Sequence, residues 1–302
     1  MIRNKCLICN SNKFLVTIIK VGFDNKHLLN FFTNYYSYLV SKNITKKLKN
    51  FNYEVIKCIR CEFIWQKFVP NTIFLNNLYE KYIDKKSSLK KSLNKIKKSK
   101  QNDEFQFNQI ENLINKKKKK ISILDYGAGW GHWAQSAKNF GFNVSCLEYS
   151  RSRISYLKKN GLNTINKKKI NKIKNQFDFI RCEQVIEHVS ELKPTIKNLF
   201  RLLNRNGIIY ISVPNGNKII NSKNFENKLI KKGPVQPLEH LNCFNNFSLN
   251  KILLINNFKK IPIIKLIYVK LFSNKFNFKN IKSILIDVYN YYFGTTLFYF
   301  KD

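Results

Sequence analysis

Residues 121–131 read ISILDYGAGWG, an apolar run of β-forming residues that ends in an acid and then sets glycines at 127, 129 and 131. Such a run predicts a strand that turns sharply into a helix. Glycine tolerates the angles of the turn and lets a ligand approach the main chain, and the helix start offers N–H groups with no partner of their own. A dinucleotide fingerprint would need its third small residue at 132, where the chain has His132. NAD and FAD are therefore disfavoured. The next apolar run, VSCLEYS, closes on Glu148, an acid placed to accept both hydroxyls of a ribose. The ligand implied is an adenosine that carries no pyrophosphate.

The order of the segments after this turn strengthens the reading. The helix GHWAQSAKNF is stopped by Gly141, and after the Glu148 strand the helix SRSRISYLKKN is stopped by Gly161. A strand FDFIRC (177–182), a helix around LKPTIKNLFRLLN and a strand GIIYISVPN (207–215) complete an alternating βαβα series. The predicted class is α/β, a doubly wound and mostly parallel sheet. With these residues in view, the chain resembles the class I S-adenosylmethionine-dependent methyltransferases, LDYGAGWG (124–131) being similar to their first motif. CEQVIEHV (182–189) is similar to the segment after their fourth strand. EHLNCFNNFSLNKILLINNFKKI is similar to the late helix before the sixth strand, and FGTTLFYFKD to the antiparallel seventh. The resemblance implies a seven-stranded Rossmann-like sheet and S-adenosylmethionine as cofactor. It assigns Gly127, Gly129 and Gly131 to a main-chain cradle, Asp125 to the amino-acid part of the ligand and Glu148 to the ribose. Trp130, inside the glycine loop, and Glu183, after FDFIRC, join the cofactor set, whereas Trp133 reads as packing. The acid that often contacts adenine has no counterpart in NTINKKKINKIKN.

A second signal lies at the N-terminus, where Cys6-x2-Cys9 and Cys58-x2-Cys61 form two knuckles. Four thiolates at that spacing suit a tetrahedral zinc, which would hold together a segment too small to build much core. Disulfides are the competing reading. The start, MIRNKCLICN, has no apolar signal region, so a reducing, cytoplasmic compartment is expected. Cys146, Cys182 and Cys243 lie in apolar runs and read as small buried hydrophobes. Residues 10–57, between the knuckles, contain LLNFFTNYYSYLV (28–40), too short and too interrupted to span a membrane. A strand pair, a substrate flap and an interface all remain open for it. A zinc ribbon, an aromatic stretch (FIWQKFVPNTIFLNNLYEKY) and then the α/β domain resemble the zinc-ribbon methyltransferases that act on sugars. Sugar C-methyltransferases and enzymes of surface-polysaccharide pathways are among these, which implies a diffusible, often nucleotide-linked acceptor.

Length allows one large domain and one small module in 302 residues. The expected division is a zinc-ribbon module and connector over 1–84, a lysine-rich helix or linker over 85–120, and the methyltransferase domain over 121–302. The formal charge is +37, from 55 Lys and Arg against 18 Asp and Glu. That excess ordinarily points to nucleic acid, acidic membrane or a phosphorylated substrate. The chain is also rich in Lys, Asn, Ile, Phe and Tyr, with only 10 Gly, 6 Pro and 1 Met, the bias of a gene poor in G and C. Residues 85–120 hold 13 lysines and 3 acids and read as a solvated face.

Methyl transfer to a hydroxyl or a carbon acid needs a base. Glu187-His188, shortly after FDFIRC, is the first candidate, since imidazole titrates near neutrality, and His240 of the Glu239-His240 pair is the second. Some related O-methyltransferases hold a divalent metal with E-x-x-E-H at this place; here the first position is Gln184, which disfavours a catalytic metal. Three functions are compatible with these features: methyl transfer to a small molecule, methyl transfer to RNA, and a binding module that has lost catalysis. Aromatic and basic residues are not interleaved in a recognisable RNA motif, which disfavours the second.

Overall fold

The computed structural model describes residues 1–220, 233–272 and 278–301. In chain order the strands are β1 (Leu15–Gly22), β2 (Asn52–Cys58), β3 (Ile64–Gln66), β4 (Ser122–Tyr126), β5 (Asn143–Leu147), β6 (Asn163–Thr164), β7 (Phe177–Glu183), β8 (Leu203–Ser212), β9 (Asn242–Cys243), β10 (Phe258–Lys260) and β11 (Thr296–Lys301). Two compact units share the chain. The first comprises Met1–Asp84, Ile186–Lys193 and Val213–Ile252; the second comprises Lys85–Val185, Pro194–Ser212 and Leu253–Asp302.

The second unit is built on a seven-stranded sheet of order β10-β11-β8-β7-β4-β5-β6. β6, β5, β4, β7 and β8 run parallel, and β11 is antiparallel to both β8 and β10. This is the doubly wound, mostly parallel sheet that the βαβα pattern predicts, with the antiparallel last strand that the resemblance implies. β4 reads as a nearly unbroken apolar run because both faces are covered. Ile123 pairs with Phe179, which pairs in turn with Ile208, and all three are buried in the core with Trp133, Phe142, Leu157 and Phe298. Each such side chain contributes about 1.5–3 kcal/mol through burial. β8 begins earlier and ends earlier than the predicted 207–215. The lysine-rich stretch is one helix, Lys85–Ile114, and its Phe107, Ile110 and Leu113 belong to this core, so residues 85–114 are part of the second unit rather than a separate linker. Two lysines of the next run also have structural partners: Lys116 Nζ lies 2.7 Å from Asp178 Oδ1 and Lys118 Nζ 4.8 Å from the Phe140 ring centre.

The first unit carries a four-stranded antiparallel sheet, β1-β2-β3-β9. The stretch LLNFFTNYYSYLV falls in a pair of helices, Lys26–Tyr35 and Tyr38–Leu48, started by the Asn25 and Ser37 side chains. Phe32, Leu28, Ile44 and Leu48 pack from these helices against Ile19, Tyr53, Val55 and Ile64 of the strands. The unit is therefore larger than residues 1–84, and Arg3 shows what recruits its later segments. Its buried guanidinium donates through Nη1 to Asn242 Oδ1 (3.0 Å) and the Leu241 carbonyl (3.2 Å), and through Nη2 to the Ser190 carbonyl (2.5 Å). Asn242 Nδ2 in turn donates to the Ile186 and Val189 carbonyls, each at 2.8 Å. Burial lowers the Arg3 pKa to about 10, so the group stays charged at neutral pH. No helix among the described residues is long and apolar enough to cross a membrane.

Candidate functional site

In the second unit β4 delivers Asp125 and the glycine turn, β5 delivers Glu148, and the helix His132–Phe140 starts at Gly131. The three glycines differ in what they meet. A Cβ on Gly127 would fall 2.4 Å from Val185 Cγ2, and one on Gly131 2.2 Å from Leu157 Cδ2, so close packing demands both glycines. Gly129 has a φ of +59° and nothing within 4 Å of where a Cβ would stand. That open, left-handed position leaves the main chain accessible to a ligand. The Glu148 carboxylate is fixed beside it: Oε2 accepts from the Gly129 amide at 2.8 Å, and Oε1 from the Tyr149 and Ser150 amides at 2.7 and 2.9 Å.

Asp125 is fully buried. Its Oδ1 accepts from Arg181 Nη1 at 3.2 Å, while Oδ2 has no hydrogen-bond partner among the described residues. Burial pushes this carboxyl above the usual carboxylate range, with the Arg181 guanidinium pulling the other way. Arg181 also pairs with Glu183 through Nη2 and lies over the Trp133 ring at 4.8 Å. It is the residue of this part of the site that sequence reasoning missed. A lone arginine inside the apolar run FDFIRC was the available signal, because a buried guanidinium needs acids around it. Trp130 donates its indole N–H to Ser88 Oγ at 3.0 Å, and Trp133 is buried and donates to Gln106 Oε1 at 2.8 Å. The orphaned Asp125 oxygen, the open Gly129 and the anchored Glu148 fit a ligand with an ammonium end and a ribose. S-adenosylmethionine has both.

The first unit holds the two candidate base histidines. His188 Nδ1 lies 2.9 Å from the Glu239 carbonyl and 3.1 Å from Tyr79 Oη. A carbonyl only accepts, so Nδ1 carries the ring proton and the basic lone pair sits on Nε2. Nε2 lies 3.8 Å from Oε1 of the buried Glu187, and the His240 ring stands 4.8 Å away at 72°. The Glu239 carboxylate accepts from Tyr36 Oη at 2.7 Å and from Gln236 Nε2 at 2.8 Å. Glu187, His188 and His240 lie together, with one possible ligand atom of each within 4.8 Å of the others, and Glu183 belongs to the second unit. Tyr36, Tyr79 and Gln236 were not foreseen; nothing in sequence spacing links residues so far apart in the chain.

The four knuckle cysteines also converge, with their sulfurs within 4.8 Å of one another. No disulfide joins the described cysteines. Cys9 and Cys58 Sγ are 3.8 Å apart, and a tetrahedron with Zn–S bonds of about 2.3 Å has edges of about 3.8 Å. Asn10 and Glu62, each directly after a knuckle's second cysteine, take positive φ angles of 60° and 53° and turn the two loops alike. For Cys9, burial acts upward but hydrogen bonds from the Ser11 main chain and neighbouring thiols outweigh it, giving a pKa of about 7. The residues fit zinc. Cys146, Cys182 and Cys243 are buried, as expected of small hydrophobes.

Comparison with known proteins points the same way. The family model described as "Methyltransferase domain" matches residues 99–263, more than half of the chain. The ubiquinone biosynthesis O-methyltransferase of Rickettsia canadensis (strain McKiel) is 37% identical over 106 residues, covering 32% of this chain and 44% of that protein. Its namesake from Rickettsia prowazekii (strain Madrid E) is 34% identical over 126 residues, covering 36% and 49%. The chain spans about half the length of the curated relatives it matches. A crystal structure of a SAM-dependent methyltransferase from Archaeoglobus fulgidus aligns with a TM-score of 0.39 at 17% identity, over 66% of this chain and 94% of that one. The match over residues 99–263 shows that this chain belongs to the methyltransferase domain family.

Proposed function

We propose that the chain transfers a methyl group from S-adenosylmethionine to a hydroxyl of a small-molecule acceptor, with a sugar or nucleotide-linked sugar as the first acceptor class. The observation that carries this reading is the glycine turn, where Gly129 opens beside the amide-bound Glu148 in a unit whose buried Asp125 keeps one oxygen unused. Gly127, Gly129 and Gly131 form the cradle, Glu148 takes the ribose, Asp125 the amino-acid end, and Trp130 and Glu183 flank them. When bound, S-adenosylmethionine supplies an electrophilic methyl on a sulfonium whose leaving group is a neutral thioether.

His188 is the proposed base. It accepts the acceptor's hydroxyl proton at Nε2, and Glu187, 3.8 Å away, stabilises the imidazolium that results. The Glu239 carbonyl and Tyr79 orient the ring through Nδ1. His240, packed against His188, is the second candidate. His188 comes five residues after Glu183 in the chain. The polar set Tyr36, Gln236, Glu239 and Tyr79 suits a polyhydroxyl acceptor. Residues 217–293 are expected to shape the acceptor pocket; 221–232 and 273–277 of them lie outside the described residues. The four cysteines hold a structural zinc that fastens the first unit.

A second acceptor class has its own support. Both Rickettsia relatives are named for O-methyl transfer in ubiquinone biosynthesis, which favours a ring hydroxyl as the alternative to a sugar hydroxyl. Methyl-labelled S-adenosylmethionine offered with sugars, nucleotide sugars, phenolic rings and RNA separates the readings. Label on a sugar oxygen is the expected outcome. Label on a phenol alone transfers the proposal to the second class, and label on RNA alone overturns both.

A further inference from the structure

The C-terminal part of the second unit has a helix with its polarity reversed. Phe278–Tyr292 turns charged and polar side chains inward: Asp287 lies 2.7 Å from Lys270 Nζ of the helix Ile263–Phe272, and the same Nζ donates to Ser283 Oγ at 2.6 Å. Lys270 is buried there, and burial lowers its pKa while Asp287 opposes the change. The outward face is apolar. Leu285 is 63% exposed, Tyr289 57% and Phe293 60%, and Ile281, Ile286 and Tyr292 lie along the same stripe at helical spacing. Ile264 on the neighbouring helix is 71% exposed. Tyr289, Tyr292 and Phe293 cluster at one end, with ring centres 5.9 Å (Tyr289–Phe293) and 6.3 Å (Tyr292–Phe293) apart.

Water contact with so many large apolar groups along one stripe is costly, and a surface of this kind marks an interaction site. Charge selects the partner. Lys265 and Lys282 are exposed, next in sequence to Ile264 and Ile281, and the one acid of the helix, Asp287, is engaged with Lys270. A second copy of the same face would bring lysine against lysine. An anionic lipid surface instead accepts the aliphatic and tyrosine side chains into its headgroup boundary and the lysines onto its phosphates.

We propose that the face formed by Ile264, Ile281, Leu285, Ile286, Tyr289 and Phe293 docks the protein on an anionic membrane surface. The helix lies in the plane of the interface; it is 15 residues long and does not span. The occupant is the lipid surface itself, which is independent of the acceptor that is methylated.

Sedimentation of the full-length protein with phosphatidylcholine vesicles, with and without phosphatidylglycerol, tests this. Binding is expected only to the anionic vesicles and should weaken with salt. The double variant Leu285→Glu, Tyr289→Glu, at exposed positions, should lower binding about tenfold or more with its circular dichroism and melting temperature unchanged. Three results would overturn the proposal. They are no sedimentation with anionic vesicles, equal binding by the variant, or light scattering that shows a dimer which the variant disperses while vesicle binding is absent. Single variants Ile264→Ser and Phe293→Ser give a second reading if the double variant misfolds, and each should weaken binding by a few-fold.

Discussion

Replacing His188 by glutamine is expected to lower kcat about 10²- to 10⁴-fold while leaving S-adenosylmethionine affinity unchanged. Glutamine keeps a polar side chain of similar reach but has no basic nitrogen. The effect should fall on kcat, and the acidic limb of the kcat–pH profile should vanish, because that limb records loss of the unprotonated base. Tyr79→Phe should cost much less, since the Glu239 carbonyl still holds Nδ1 at 2.9 Å. Steady-state kinetics over a pH series with the best acceptor checks both variants. A His188→Gln enzyme within a few-fold of wild type would move the base to His240, whose ring stands 4.8 Å away.

Loss of the proposed zinc is expected to have the largest effect on stability. The free energy of binding a structural zinc in small zinc modules is about 10–16 kcal/mol at neutral pH and is also folding free energy. In the first unit the proposed zinc would join Cys6 and Cys9 at the start of the chain to Cys58 at the end of β2, whose Tyr53 and Val55 sit in the same core as Phe32 and Ile44. Cys61→Ser should therefore bring loss of bound zinc by elemental analysis and a melting temperature lower by more than about 10 °C, since a few kcal/mol already moves a domain of this size that far. Chelation of the wild type should reproduce the shift. Zinc-free protein that melts at the wild-type temperature would show that the thiols hold no structural ion.

The parts of the fold that sequence reveals are those written in local pattern. Apolar runs ended by an acid or glycine give β4 and β5, and Gly141 and Gly161 end helices because their positive φ angles are open to few other residues. The parts that stay hidden depend on single long-range contacts. Arg3 ties residues more than 180 positions away through backbone carbonyls, and a carbonyl leaves no trace in sequence. Tyr36 donates to the Glu239 carboxylate across 203 positions, a pairing that no local pattern records, so the helical pair between the knuckles could not be assigned to the histidine cluster from its own residues. Arg181 was visible as a letter, but its role appears only once β7 is set beside β4 and its guanidinium meets Asp125. The lysine run misleads for the opposite reason: its charge is conspicuous, yet Lys116 and Lys118 are occupied by Asp178 and Phe140.

The central claim is that the glycine turn and Glu148 form an S-adenosylmethionine site. Calorimetric titration of the zinc-loaded protein with S-adenosylmethionine, beside Glu148→Ala, tests it most directly. Micromolar binding that the substitution weakens at least tenfold, about 1.4 kcal/mol, is the predicted result. Well-folded protein that takes up no S-adenosylmethionine, or a Glu148→Ala protein that binds as tightly as wild type, would contradict it.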